Sequence, residues 1–281
     1  MINNDHSSLH RAKANKEDEF YTLYKDVDKE LQHYKEFFKG SSICCPCDPP
    51  TSNFFIWFMD NKQEIEPSDL TFVHFDEEYP NSDFRNQDWT SCEIIVTNPP
   101  FSLFREFLDK IMKENKKFLI LAPMNVITYK EVYTLIQQNK VWLGINSGDM
   151  TFRVPSWYEP RPTRYFEENG VKYRSMGNII WLTNLPHKKR NEFLTFTKTY
   201  NENDYQKYDN YDGIEVGKVA DIPYDYKGVM GVPITFLTKY NPQQFEIVGF
   251  RKGDDGKDLR VNGKDKYFRI LVKFKENSEQ N

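Results

Sequence analysis

The sequence predicts an α/β protein, a doubly wound and mostly parallel sheet with helices on both faces followed by a smaller C-terminal lobe. Three observations carry this. Short apolar runs that end in a polar residue alternate with helix-like stretches through the first two thirds of the chain. After about Asn184 the pattern gives way to mixed aromatic and polar residues with recurring prolines. A length of 281 residues suits one large α/β domain with an appended lobe better than several independent modules.

Val27, Leu31, Tyr34 and Phe38 recur at helical spacing and predict a helix over 25–38, which Gly40 stops. Ile43-Cys44-Cys45 reads as a short buried strand running into Pro46-Cys47-Asp48-Pro49-Pro50, so Asp48 stands at its carboxyl end. Ser52 is the cap of a helix whose Phe54, Phe55, Trp57 and Phe58 make it too apolar for a surface element. Residues 70–75 form a second strand ending in Asp76, and 92–97 a later one ending in Asn98. From Ser102, the residues Leu103, Phe104, Phe107, Leu108, Ile111 and Met112 share one face of an amphipathic helix. A strand over 118–122, a helix over 130–138 and extended segments at 141–144 and 179–182 complete the sheet. Residues 1–184 are assigned to this domain and 185–281 to the second lobe, with strands at 245–249 and 268–274. In such a sheet ligands bind at the carboxyl ends of the strands.

Composition narrows the classes. Charged residues are 28% and aromatics 16% of the chain, which fits a folded globular protein. A net charge of −4 excludes a histone-like coat of positive charge. No stretch approaches the roughly 18 to 20 apolar residues of a membrane span, and the polar start lacks a signal-peptide core, so a cytoplasmic protein without a membrane partner is expected. Cys44, Cys45 and Cys47 crowd one apolar segment with only Cys92 elsewhere, a poor layout for a disulfide framework. Cys44-x-x-Cys47 has no second ligand pair, and His6, His10, His33, His74 and His187 show no ligand spacing. Buried strand cysteines and no metal are expected.

The segment with the most chemistry is Asn98-Pro99-Pro100-Phe101, between a buried strand and an amphipathic helix. It suits methylation of the exocyclic amine of adenine, a weak nucleophile because its lone pair is delocalised into the ring. The amide oxygen of Asn98 and the carbonyl of Pro99 can accept both amino hydrogens and turn the lone pair towards a donor methyl. Pro99 and Pro100 stiffen the loop. Phe101 can stack on the base, worth about 1–3 kcal/mol. An amide takes no proton at neutral pH, so attack on the methyl precedes proton loss and alignment carries the rate. Asp48-Pro49-Pro50-Thr51, the rival turn, offers no aromatic face for a base. The expectation is a nucleic-acid adenine methyltransferase using S-adenosylmethionine. The alternatives are an RNA-base or protein-glutamine methyltransferase on the same fold, or a DNA-binding module without turnover.

Basic residues cluster downstream. Between 153 and 198, Arg153, Arg161, Arg164, Lys172, Arg174, Lys188, Lys189, Arg190 and Lys198 outnumber four glutamates and are interleaved with Phe152, Trp157, Tyr158, Tyr165 and Tyr173. That is the composition of a surface meeting phosphates and extruded bases, and DNA-facing loops are expected within 150–178. Arg153, Arg161, Arg164, Lys188, Lys189 and Arg190 are the candidate DNA contacts. A second basic segment runs from Arg251 to Lys275 and includes Lys252 and Lys257.

Taken together, residues 15–22, 47–54, 82–85, 97–102, 150–155 and 228–237 resemble the EcoRI-type adenine-specific DNA methyltransferases, in which the cofactor motifs come first and target recognition last. The resemblance covers most of the chain. It implies a class I, Rossmann-like methyltransferase domain over 1–184 and a target-recognition lobe over 185–281. It also implies a cofactor pocket with Phe20, Tyr21 and Thr22 at the methionine end and Asp48, with Pro49, near the aminoacyl group. Asp76, at a strand end, can accept hydrogen bonds from ribose hydroxyls, and Asp83 and Phe84 can hold the cofactor's adenine. The glycine-rich loop most methyltransferases place after the first strand is replaced here by residues 48–53, whose prolines alter the main-chain approach. The implied partner is double-stranded DNA with its target adenine flipped out, in a restriction–modification or related host/phage setting. A cognate endonuclease encoded nearby is expected, without a stable complex.

Overall fold

The computed structural model describes residues 20–76, 78–251, 258–266 and 268–276. Residues 15–19 of the first family-like segment, and Lys252 and Lys257 of the second basic segment, lie outside the described residues. The chain divides into two compact units. The first takes in the chain up to Val126 together with Leu143–Leu185; the second joins Ile127–Trp142 to the chain from Pro186 onward.

In the first unit the strands are β1 (Tyr21–Thr22), β2 (Ser42–Cys45), β3 (Asp69–Phe72), β4 (Ile94–Thr97), β5 (Lys117–Pro123), β6 (Trp142–Arg153, all but its first residue), β7 (Tyr165–Glu168) and β8 (Val171–Thr183). They form one sheet in the order β1-β6-β8-β5-β4-β2-β3, with β7 paired to β8. β3, β2, β4 and β5 run parallel, whereas β8 joins β5 antiparallel and β1 joins β6 antiparallel. The sheet is therefore mixed, and the expectation of a mostly parallel one holds only for its β3-β2-β4-β5 part. The chain leaves β2 for β3 on one side and resumes with β4 and β5 on the other, so the strand order reverses between β2 and β4. Open sheets bind ligands at such a reversal.

Every residue of β2 and β4 is buried, which explains their unbroken apolar runs. Helices α1 (Tyr24–Leu31), α2 (Lys35–Phe38), α3 (Asn53–Asp60) and α4 (Lys62–Ile65) belong to this unit, as does α5 (Phe104–Lys113). The helix expected over 25–38 is interrupted by a 3-10 turn at Gln32–Tyr34, yet Val27, Leu31, Tyr34 and Phe38 are all wholly buried, as their spacing requires. They join Phe54, Trp57, Val96, Leu121 and Trp181 in the core. The Ser52 hydroxyl caps α3 by accepting the Phe55 N–H at 3.2 Å. Phe104, Phe107, Leu108 and Ile111 form the buried stripe of α5.

Three sequence expectations change. The loops expected within 150–178 are largely strand: β6 reaches Arg153, β7 and β8 form a hairpin, and only 154–164 is irregular. The hairpin turns at Asn169-Gly170, both at positive φ (50° and 75°), the two-residue turn whose twist matches paired strands. The strand expected over 70–75 stops at Phe72, which leaves Asp76 in the following loop. Cys44 is joined to Cys92 in a disulfide with Cα atoms 6.0 Å apart, because β2 lies beside β4 and the turn before it; Cys45 and Cys47 are free.

The second unit contains α6 (Lys130–Gln137) and the strands β9 (Ile214–Glu215), β10 (Met230–Pro233), β11 (Phe245–Arg251), β12 (Leu259–Val261), β13 (Lys264–Lys266) and β14 (Arg269–Phe274). β11-β14-β10-β9 form one sheet and β12-β13 a hairpin. Among the described residues, no helix is long and apolar enough to cross a membrane. No group of three or more His, Cys, Asp or Glu among them could hold a metal ion.

Candidate active site

The carboxyl ends of β2 and β4 meet in the first unit, and their side chains interlock. Thr97, the last residue of β4 and wholly buried, donates its hydroxyl to Asp48 Oδ2 and accepts the Cys47 N–H at 3.2 Å. The Asn98 N–H also donates to Asp48 Oδ2, at 3.1 Å. Asp48 itself is buried. Burial raises its carboxyl from the ordinary 3.8 to about 7, against the Thr97 and Asn98 hydrogen bonds, which lower it. Burial likewise pushes the Cys47 thiol well up, with the Asp48 charge adding to it.

The Asn98 side chain is held from one end only. Its Nδ2 donates to the Phe20 carbonyl at 2.6 Å, and this bond fixes the amide, since the flipped form would set oxygen against oxygen. The other end, Oδ1, is buried and meets no hydrogen-bond donor among the described residues. A buried amide oxygen without a donor is costly and uncommon.

Phe20, Cys47, Asp48 and Asn98 line a cavity of about 670 Å³. Phe20, Tyr21, Asp48, Pro49, Asp76, Asp83, Phe84 and Asn98, all named from the sequence, are on its wall, and Pro100 is with them. Thr22, Pro99 and Phe101 are not on it. The Thr22 hydroxyl is buried without a partner among the described residues, and Phe101 stacks on Phe20 with ring centroids 6.0 Å apart. Asp76 is fixed within its loop, where its Oδ1 accepts the Glu78 N–H and its backbone exchanges two bonds with the Ser82 hydroxyl. Asp83 is gripped by the Arg85 guanidinium. Burial raises its carboxyl, but the Arg85 hydrogen bonds and charge outweigh this and hold it below its ordinary value. Phe84 packs edge-on against Phe107 at 4.9 Å.

Sequence reasoning passed over Thr97, Arg85 and the place of Trp157. A threonine at the end of an otherwise apolar strand was a readable signal for Thr97. The pairing of Arg85 with Asp83 depends on the loop's path and had none.

The basic candidates divide between the units. On the first, Arg153, Arg161 and Arg164 are exposed: Arg153 lies 5.0 Å from the Tyr21 ring, Arg161 5.8 Å from Tyr158, and Arg164 is 3.7 Å from Asp149. On the second, Lys188, Lys189 and Arg190 share a 3-10 turn, Lys188–Asn191. Arg190 is turned inward, with its guanidinium 3.8 Å from the Trp142 ring centroid and bonded to Asn139, and burial lowers its pKa.

The family model for adenine-specific methyltransferase EcoRI matches residues 8–92 and 81–276 of this sequence. Type II methyltransferase M.EcoRI of Escherichia coli is 45% identical over 313 aligned residues, covering 95% of this chain and 96% of that protein. The chain belongs to the EcoRI family of adenine-specific methyltransferases. Type II methyltransferase M.MgeORF184P of Mycoplasma genitalium is 34% identical and M.MpnI of Mycoplasma pneumoniae 31%, each covering at least 94% of this chain and 98% of the relative. This member of the family is an enzyme, a DNA adenine methyltransferase that requires a methyl donor, and its large mixed α/β sheet fits a methyltransferase fold.

Proposed function

We propose that this enzyme transfers the methyl group of S-adenosylmethionine to N6 of an adenine flipped out of double-stranded DNA, with Asn98 as the residue that aligns the amine. One observation carries the reading: Asn98 Oδ1 is a buried acceptor with no donor among the described residues, fixed in place by the bond from Nδ2 to Phe20. An adenine amino group is the donor it lacks. Oδ1 accepts one amino hydrogen and the Pro99 carbonyl the other, which directs the nitrogen lone pair. Pro100 stiffens the turn, and Phe101 stacks behind Phe20, the ring of the pair that lines the cavity. No side chain here needs to take the proton before attack.

The same cavity suits the cofactor, which supplies an electrophilic sulfonium methyl when bound. Asp48 would hold its ammonium group, with Pro49 beside it. Phe20 and Tyr21 would hold the methionine end, Asp76 the ribose, and Asp83 and Phe84 the adenine, while Thr22, expected with them, lies off the cavity wall. The residues present fit: a buried carboxylate, an unpaired amide oxygen and a cavity of about 670 Å³ with aromatic walls. The β2/β4 reversal supports reading the first unit as a Rossmann-like cofactor domain. The chain from 185 onward is its target-recognition lobe, and Arg153, Arg161, Arg164, Lys188 and Lys189 meet phosphates. Arg190 supports the Lys188–Asn191 turn. The setting is cytoplasmic restriction–modification, with a cognate endonuclease reading the same site.

Tritium from labelled S-adenosylmethionine should enter duplex DNA as N6-methyladenine. Label found only in RNA or protein would overturn the reading. A 2-aminopurine at the target position should brighten on binding, and an unchanged signal would remove flipping from it.

A further inference from the structure

Trp157 stands apart from the other four tryptophans. Trp57, Trp89 and Trp181 are at most 2% exposed and Trp142 is half-buried, but Trp157 is 48% exposed while lying on the wall of the Asn98 cavity. It is one of the exposed large apolar side chains rather than a member of the buried core. Its backbone, however, is held firmly. Lys172 Nζ donates to the carbonyls of Ser156 and Tyr158 on either side, at 2.5 and 3.0 Å, and the Tyr158 N–H bonds the Pro155 carbonyl at 3.0 Å. The next ring, Tyr158, is 5% exposed and packs edge-on against Phe20 at 6.2 Å. A large apolar side chain is thus presented to the cavity on a pinned turn. Phe101, the aromatic assigned to the base from the sequence, gives a face to Phe20 and is not on the cavity wall.

Resting on the adenine-methyltransferase reading above, we infer that Trp157 is a base-contacting residue that stacks on the extruded adenine while Asn98 holds its amino group. An indole has the largest face available for a purine, and aromatic stacking tolerates any base edge, so Trp157 contributes grip while Asn98 contributes choice of amine. Half-exposure in the free protein follows from this role, because the face is covered only when a base enters.

The test is a thermodynamic cycle on DNA binding. The enzyme's own site is first mapped by sequencing modified adenines in DNA it has methylated. Two duplexes carrying that site are then compared, one with the target adenine and one abasic there, against wild type and Trp157→Ala. Stacking predicts that Trp157→Ala weakens binding to the adenine duplex about tenfold more than to the abasic one, and that Trp157→Phe restores most of the difference. If the loss is the same within twofold on both duplexes, Trp157 serves the loop or the backbone contact and the inference is overturned. Failure of wild type to methylate any DNA would instead remove the underlying reading, before the cycle begins.

Discussion

Two neighbouring strands of one sheet end in almost the same turn, Asp48-Pro49-Pro50 after β2 and Asn98-Pro99-Pro100 after β4, and they are wired in opposite ways. The carboxylate of Asp48 is bound on its Oδ2 by the Thr97 hydroxyl and the Asn98 N–H. The amide of Asn98 spends its donor on the Phe20 carbonyl and leaves its buried acceptor unpaired among the described residues. One turn therefore holds a charge whose ionisation the fold controls, and the other an uncharged acceptor whose direction it controls. In the proposed reaction the first serves binding of a cationic cofactor and the second serves alignment of an amine.

The comparison breaks first at Asn98. Asn98→Ala should reduce label incorporation into duplex DNA by roughly a thousandfold or more, as loss of an interaction made at the reacting atom does, while DNA affinity stays within a few fold. Near-normal incorporation would leave the two turns equivalent.

Asp48 gives the next effect, and its sign follows from its raised pKa. With the folded value about 7 against an ordinary 3.8, folding favours the protonated form. The stability Asp48 contributes is therefore fully present below about pH 4 and is lost as pH rises through 7, on the order of a few kcal/mol at most. The melting temperature of the free enzyme should fall between about pH 4 and 7 and level off above that, and Asp48→Asn should flatten the fall. Cofactor affinity should move the other way, rising through pH 7 as the carboxylate forms, and Asp48→Asn should abolish the rise. Calorimetric titrations at several pH values read both, and an unchanged slope in the variant would assign the dependence to another group.

Thr97→Val sharpens the coupling between the turns. It keeps the shape but removes a donor to Asp48 and an acceptor for the Cys47 N–H, so a cost of about 1–3 kcal/mol in unfolding free energy is expected. The cofactor-affinity transition should also shift to higher pH, because a bond favouring the carboxylate is gone.

The smallest effects lie in the basic residues. Arg161→Ala and Arg164→Ala should each lower the salt slope of DNA affinity by about one, as loss of a phosphate contact does. Arg190→Ala should leave that slope alone and lower the melting temperature instead, since its guanidinium packs on Trp142. A salt-slope change in Arg190→Ala would show that it reaches DNA after all.

The parts of this site that could be read in advance are those set by local chain chemistry. Buried apolar runs ending in Asp48 and Asn98 announce strand ends, and Ser52 announces its helix. What escaped reading depends on distant neighbours. The Asp48–Thr97 bond joins residues 49 apart, and Asn98 takes its orientation from Phe20, 78 residues away. The β7–β8 hairpin is legible in Asn169-Gly170, although the basic and aromatic composition around it points towards loops. The packing of Arg190 on Trp142 likewise depends on a residue 48 positions away and leaves no mark in the basic run itself.

The split between charge and alignment is tested most directly by single-turnover methylation of duplex DNA under saturating S-adenosylmethionine and saturating enzyme. Asp48→Asn, impaired in binding, should recover to within a few fold of the wild-type rate once the cofactor saturates, whereas Asn98→Ala should remain slow at every concentration. A rate for Asn98→Ala that climbs to the wild-type value at saturation would contradict the account.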